Sequence, residues 1–120
     1  MRKTAHEIID ETASFYNLSN RSVESDGVCL YNGPEGKHCA FARMCTEPLK
    51  LKETNYGGKM AVELILEDAN ILKEEYRGQR PSFYSVLQRL HDSKSFWAES
   101  GLSDEGLTFV MGMKASFPNI

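Results

Sequence analysis

The chain has 120 residues, a net charge of −3, and 41% hydrophobic against 26% charged residues. That balance fits one folded domain spanning residues 1–120 rather than a disordered segment. The basic residues stand scattered among acids, which argues against a nucleic-acid partner, and no apolar run approaches the ~20 residues that span a bilayer.

Thr4 to Asn17 reads as an amphipathic helix, with Ala5, Ile8, Ile9, Thr12 and Phe15/Tyr16 on one face. Thr4 and Glu7 make a T-x-x-E capping box, which satisfies two amides at the helix start. His6, near that start, is expected to be exposed. The polar run from Asn17 to Ser22 ends the helix.

Val28 to Asn32 alternates as a strand does, and Asn32-Gly33-Pro34-Glu35-Gly36-Lys37 supplies a turn. A second strand beginning at His38 completes a β-hairpin that brings Cys29 and Cys39 together on opposing strands. His38 itself is expected to face solvent. Ala40 to Cys45 turns helical after that strand, Pro48 interrupts, and Leu49 to Lys59 reads as a loop. The Gly33-x-x-Gly36-Lys37 segment lacks a Ser or Thr after the lysine and precedes no helix, so it is not a phosphate-binding loop.

Met60 to Tyr76 carries the strongest helical pattern, with Ala61, Leu64, Ile65, Asp68/Ala69 and Leu72 as its buried stripe. Arg77 to Pro81 breaks it. Ser82 to Asp92 is a further helix, with Phe83, Val86, Leu87 and Leu90 facing inward and His91 on the stripe's edge. A last helix starts after Ser103, which is a good N-cap. Asp104 and Glu105 suit its positive end, Leu102 and Leu107 form a staple, and Leu107, Val110, Met111 and Lys114 follow. The expected fold is α+β, mostly α, with about four helices packed on one hairpin.

Three residue types carry candidate chemistry. Three cysteines, an odd count, fit reduced thiols in a cytosol better than a secreted disulfide scaffold, and the N-terminus turns acidic too early for a secretory signal. Free cysteines are first read as small core residues. The alternative is a zinc site of Cys29, Cys39, Cys45 and a histidine, either His38 or His91, with His91 preferred, although C-x9-C-x5-C contains no C-x2-C knuckle. A third reading pairs Cys39 with His91 as nucleophile and base. Asp92 is expected to be a poor orienter of His91, because consecutive helical side chains diverge by about 100°. His91 is first read as a histidine bonding a buried carbonyl. Trp97 and Phe96 are first read as core, with Tyr31, Phe96 and Trp97 as the candidate partner anchors and Tyr56 a similar candidate.

The residues Cys29, Tyr31, Gly33, Gly36, Cys39-Ala40, Leu87-Gln88 and His91-Asp92 resemble a pattern in small uncharacterised proteins of tailed bacteriophages and bacterial genomes. The chain departs from that pattern at Ala42, where a glycine is common. The resemblance implies a phage-type origin, a life in a bacterial cytosol, and one spatial cluster holding Cys29, Cys39 and His91. With no convincing catalytic set, basic patch or cofactor motif in the sequence, the functional expectation is a non-enzymatic accessory protein of this phage type that binds a host or phage protein, without cofactor or membrane. A zinc-stabilised domain and a cysteine-dependent enzyme are the alternatives, and a homodimer through a helix face or hairpin edge is compatible with each.

Overall fold

The computed structural model describes residues 2–21, 37–46 and 69–117. They form an α+β arrangement, mostly α. Its helices are α1 (Ala5–Phe15), α2 (Ala40–Arg43), α3 (Pro81–Asp92) and α4 (Asp104–Ser116), and one antiparallel hairpin pairs β1 (Trp97–Ala98) with β2 (Gly101–Leu102). Short 3-10 turns stand at Ala69–Ile71, Glu74–Tyr76 and Lys94–Phe96.

Helix α1 begins as its sequence dictates. The Thr4 hydroxyl accepts the Glu7 N–H at 3.2 Å, and the Glu7 carboxylate accepts the Thr4 N–H at 2.9 Å. Ala5, Ile8, Ile9 and Thr12 are buried. The helix ends at Phe15 because side chains take over the backbone's bonding: the Asn20 amide donates to the Phe15 carbonyl at 2.7 Å, and Asn17 Oδ1 accepts the N–H groups of Ser19 and Asn20. His6 is half-buried rather than exposed. Its Nε2 lies 3.1 Å from the carbonyls of both Lys114 and Phe117, so Nε2 carries the hydrogen and ties the start of α1 to the end of α4.

Cys39 cuts the expected second strand short, for His38 is bridged but Cys39 already lies outside any strand. It is the N-cap of α2, its sulfur accepting the Ala42 N–H at 3.4 Å. The expected strand Val28–Asn32, its turn as far as Gly36, Cys29 and Tyr31 lie outside the described residues, as does the loop expected from Leu49 to Lys59. The helix expected from Met60 to Tyr76 does not run to its predicted end. Residues 60–68 lie outside the described set, but Leu72 is extended and bridges Cys45. Lys73 N–H donates to the Met44 carbonyl and Thr46 N–H to the Ile71 carbonyl, both at 2.9 Å. Cross-chain pairing there replaces the i→i−4 ladder, while Leu72 stays buried as its apolar character requires.

Helix α3 starts with Pro81, whose missing N–H costs nothing in a first turn. Phe83, Leu87 and Leu90 are buried and Val86 is half-buried. Trp97 enters the core and its indole N–H donates to the Leu90 carbonyl at 2.8 Å. The β1–β2 turn closes through Gly101, at φ +136°, a conformation that strains any side chain. Ser103 caps α4, accepting the Gly106 N–H at 3.1 Å.

The inward face of α4 differs from the expected stripe. Gly106, Val110, Met113 and Phe117 are buried, whereas Leu107 is 51% and Met111 70% exposed. Gly106 sets this rotation. A Cβ there would sit 2.1 Å from the Phe96 carbonyl oxygen, so only glycine lets the helix lie against the strap before β1.

Candidate functional site

The residues singled out by sequence fall into two neighbourhoods. The first joins α2 to α3. His91 is fully buried, and its Nδ1 lies 2.8 Å from Asp92 Oδ1. The bond overturns the expectation that Asp92 is a poor orienter of His91. The two Cβ atoms diverge, but Gln88, one helical turn earlier, donates its amide to the same Oδ1 at 2.8 Å and holds the carboxylate over the ring. With Asp92 accepting, Nδ1 carries the hydrogen. The expected carbonyl partner is not what holds this nitrogen.

Around this pair the packing is aromatic. The rings of Tyr16 and His91 meet edge to face at 4.8 Å, and Trp97 lies 6.0 Å from Tyr16. The Tyr16 hydroxyl donates to the His38 carbonyl at 2.7 Å, so the chain just before Cys39 is fastened beside the imidazole. His38 is half-buried, not solvent-facing. Arg21, buried at the end of α3, donates Nη1 to the carbonyls of His91 and Asp92 at 3.1 and 3.0 Å. A cation on the last carbonyls satisfies the negative end of the helix.

The structure thus brings the Cys39-Ala40 segment against the Leu87-Gln88…His91-Asp92 segment. Both described thiols are buried. Cys39 sulfur accepts from α2, and Cys45 sulfur donates to the Phe41 carbonyl at 3.3 Å. Burial pushes the Cys45 thiol up to about 12, with only slight relief from Lys73. Among the described residues no three His, Cys, Asp or Glu side chains stand together as metal donors, and Cys29, the fourth expected ligand, lies outside them.

A charged cluster that the sequence did not flag pins α1 to α2. Glu11 accepts hydrogen bonds from Lys3, Tyr76 and Arg43, the last at 2.7 Å. Burial pushes the Glu11 carboxyl up, but those three donors outweigh it and hold the group down to about 2. The Arg43 guanidinium also lies 4.8 Å over the Phe15 ring. This arrangement locks α1, α2 and the Glu74–Tyr76 turn together.

The second neighbourhood is a groove of about 440 Å³ lined by Val86, Phe109, Gly112, Met113, Ser116 and Phe117. Met113 and Phe117 form its floor, and Val86 and Phe109 are half-buried walls. Phe109 is held by stacking on Phe96 at 4.5 Å, so the half-buried Phe96, one of the expected anchors, supports a groove wall, while Trp97 belongs to the core. Gly112 leaves the groove open, since a Cβ there meets nothing within 4 Å. The Arg80 guanidinium lies over the ring of Phe117 at 5.2 Å.

The sequence signal for this groove was the composition of α4. Residues 106–113, G-L-T-F-V-M-G-M, carry no charge, and a helix apolar on several faces buries more than one of them. No protein-family model, curated protein or solved structure matches this chain.

Proposed function

We propose that the chain is a small non-enzymatic accessory protein, of the phage type its sequence resembles, that binds a host or phage protein in a bacterial cytosol. The observation that carries the reading is the apolar groove between α3 and α4, formed by Val86, Phe109, Gly112, Met113 and Phe117. A concave apolar site of this size suits an inserted hydrophobic side-chain cluster of a partner better than a polar metabolite. The chemically richest residues, by contrast, are spent on holding the fold: His91 on Asp92, Cys39 on the cap of α2, and Arg21 on the end of α3.

The test is affinity capture from bacterial lysates with and without phage infection. Wild type, Gly112→Leu and Val86→Glu are compared. Gly112→Leu enters the groove from a position where a Cβ meets nothing within 4 Å, so a specific partner recovered by wild type and lost by both variants supports the reading. Equal recovery by all three, or no specific partner in any lysate, removes it.

A cysteine-dependent enzyme remains the second reading. It is favoured by one observation, the imidazole whose tautomer is fixed by a carboxylate at 2.8 Å, as a general base requires. It demands a fast-reacting Cys39 thiol.

A further inference from the structure

We infer that the outward stripe of α4 formed by Leu107, Met111 and Ala115 is a homodimer interface, with the two α4 helices running antiparallel about a two-fold axis. The stripe is separate from the groove. The spacing of four residues lines these three side chains up along the helix, while Phe109, Gly112, Met113 and Ser116 line the groove with Val86 of α3. Leu107 and Met111 are 51% and 70% exposed, and with Phe15 they are the exposed large hydrophobic residues among those described. Phe15 is already covered in part by the Arg43 guanidinium.

The charges on α4 say what covers the stripe. Asp104 and Glu105 stand in its first turn and Lys114 in its last. Between them lie eight uncharged residues, 106–113, so a pairing centred there buries no charge. A second copy laid antiparallel sets Leu107 of each chain over Met111 of the other. It also brings the acidic end of each helix to the Lys114 end of the other. Lys114 bonds Asp10 of its own chain at 2.5 Å, but an ammonium has three donors and can take a second carboxylate. The helix dipoles also oppose favourably in this direction. A parallel pairing would set acids against acids. The surface is its own complement in one direction only.

One helix pair covers less than the ~800 Å² per partner of a standard interface, so the dimer is weak, with a dissociation constant on the order of 10–100 μM. Sedimentation equilibrium of the full chain under reductant, from about 1 μM to about 1 mM, tests it. The expected mass rises from 13.5 kDa toward twice that value. Met111→Glu and Leu107→Lys should each weaken association at least about tenfold, with far-UV circular dichroism unchanged. Their combination should restore it, because antiparallel packing sets each new lysine against the other chain's new glutamate. A monomer throughout, a dimer indifferent to Met111→Glu, or a double variant no better than the singles would overturn the proposal. Binding of another protein at the stripe by a chain that stays monomeric would overturn it too.

Discussion

The Phe41 backbone N–H donates to the Gln88 side-chain carbonyl at 3.0 Å, and both residues are buried. One amide therefore ties the first turn of α2 to α3, while its other end holds Asp92 on His91. Gln88→Met keeps the volume and length but removes both bonds. A buried hydrogen bond lost without replacement costs about 1–3 kcal/mol, and here two are lost. Urea denaturation should show a fall of about 2–4 kcal/mol with an unchanged slope. A change below about 0.5 kcal/mol would mean that Gln88 does not link the helices.

What was legible in the sequence were signals confined to one element. Thr4 with Glu7, and Ser103 with its acidic first turn, each fix a helix start through bonds to residues three away, and α1 and α4 start where those residues stand; Pro81, read as a breaker, instead opens α3. Contacts that depend on the other side of the molecule were not legible. His6 reaches the last carbonyls of α4, Arg21 reaches the end of α3, and Glu11 gathers donors from Lys3, Arg43 and Tyr76. Leu72 shows the same limit. Its apolar character predicted burial correctly, but pairing with Cys45 made the backbone extended where local periodicity favoured helix. The rotation of α4 turned on Gly106, whose reason is a carbonyl oxygen on another segment.

Glu11 gives a pH prediction whose sign follows from its three donors. Its folded pKa is about 2, below the ordinary value of 4.5. The stability it contributes is therefore whole above about pH 4.5 and drains away as pH falls toward 2. Glu11→Gln should lower stability at pH 7 by about 1–3 kcal/mol, since Lys3 and Arg43 lose a charged acceptor. Between pH 5 and pH 3 wild type should lose more stability than the variant, so the two curves approach each other. Parallel curves over that range would show that the cluster does not depend on the ionised carboxylate.

Two glycines on α4 should respond in opposite directions to the same substitution. A Cβ at Gly112 meets nothing within 4 Å, and alanine is the better helix former by roughly 0.5–1 kcal/mol. Gly112→Ala should therefore raise stability by that amount. A Cβ at Gly106 would stand 2.1 Å from the Phe96 carbonyl oxygen and 2.8 Å from Leu102 Cδ2. Backbone must shift to admit it, so Gly106→Ala should cost about 2 kcal/mol or more despite the propensity gain. Thermal melts of the two variants beside wild type decide the matter. If both moved the midpoint the same way, the account of how α4 packs on the strap before β1 would fail.

The thiols separate the accessory-protein reading from the enzymatic one. Cys39 and Cys45 are both fully buried; Cys39 accepts a backbone N–H at 3.4 Å, and burial holds Cys45 protonated, at about 12. Thiolate is the reactive form and must also be reached by the reagent. Native protein at pH 7.5 should therefore expose at most one fast-reacting thiol per chain, that of Cys29, and release the other two only on denaturation. Cys29→Ser should then react slowly throughout, and iodoacetamide followed by peptide mapping should find Cys39 and Cys45 unmodified. The rate at the buried pair should track global opening, falling about tenfold for each 1.4 kcal/mol of added stability, as in Gly112→Ala. Rapid native alkylation of Cys39, lost in His91→Ala, would instead mark an imidazole-activated nucleophile, and the enzymatic reading would displace the binding one.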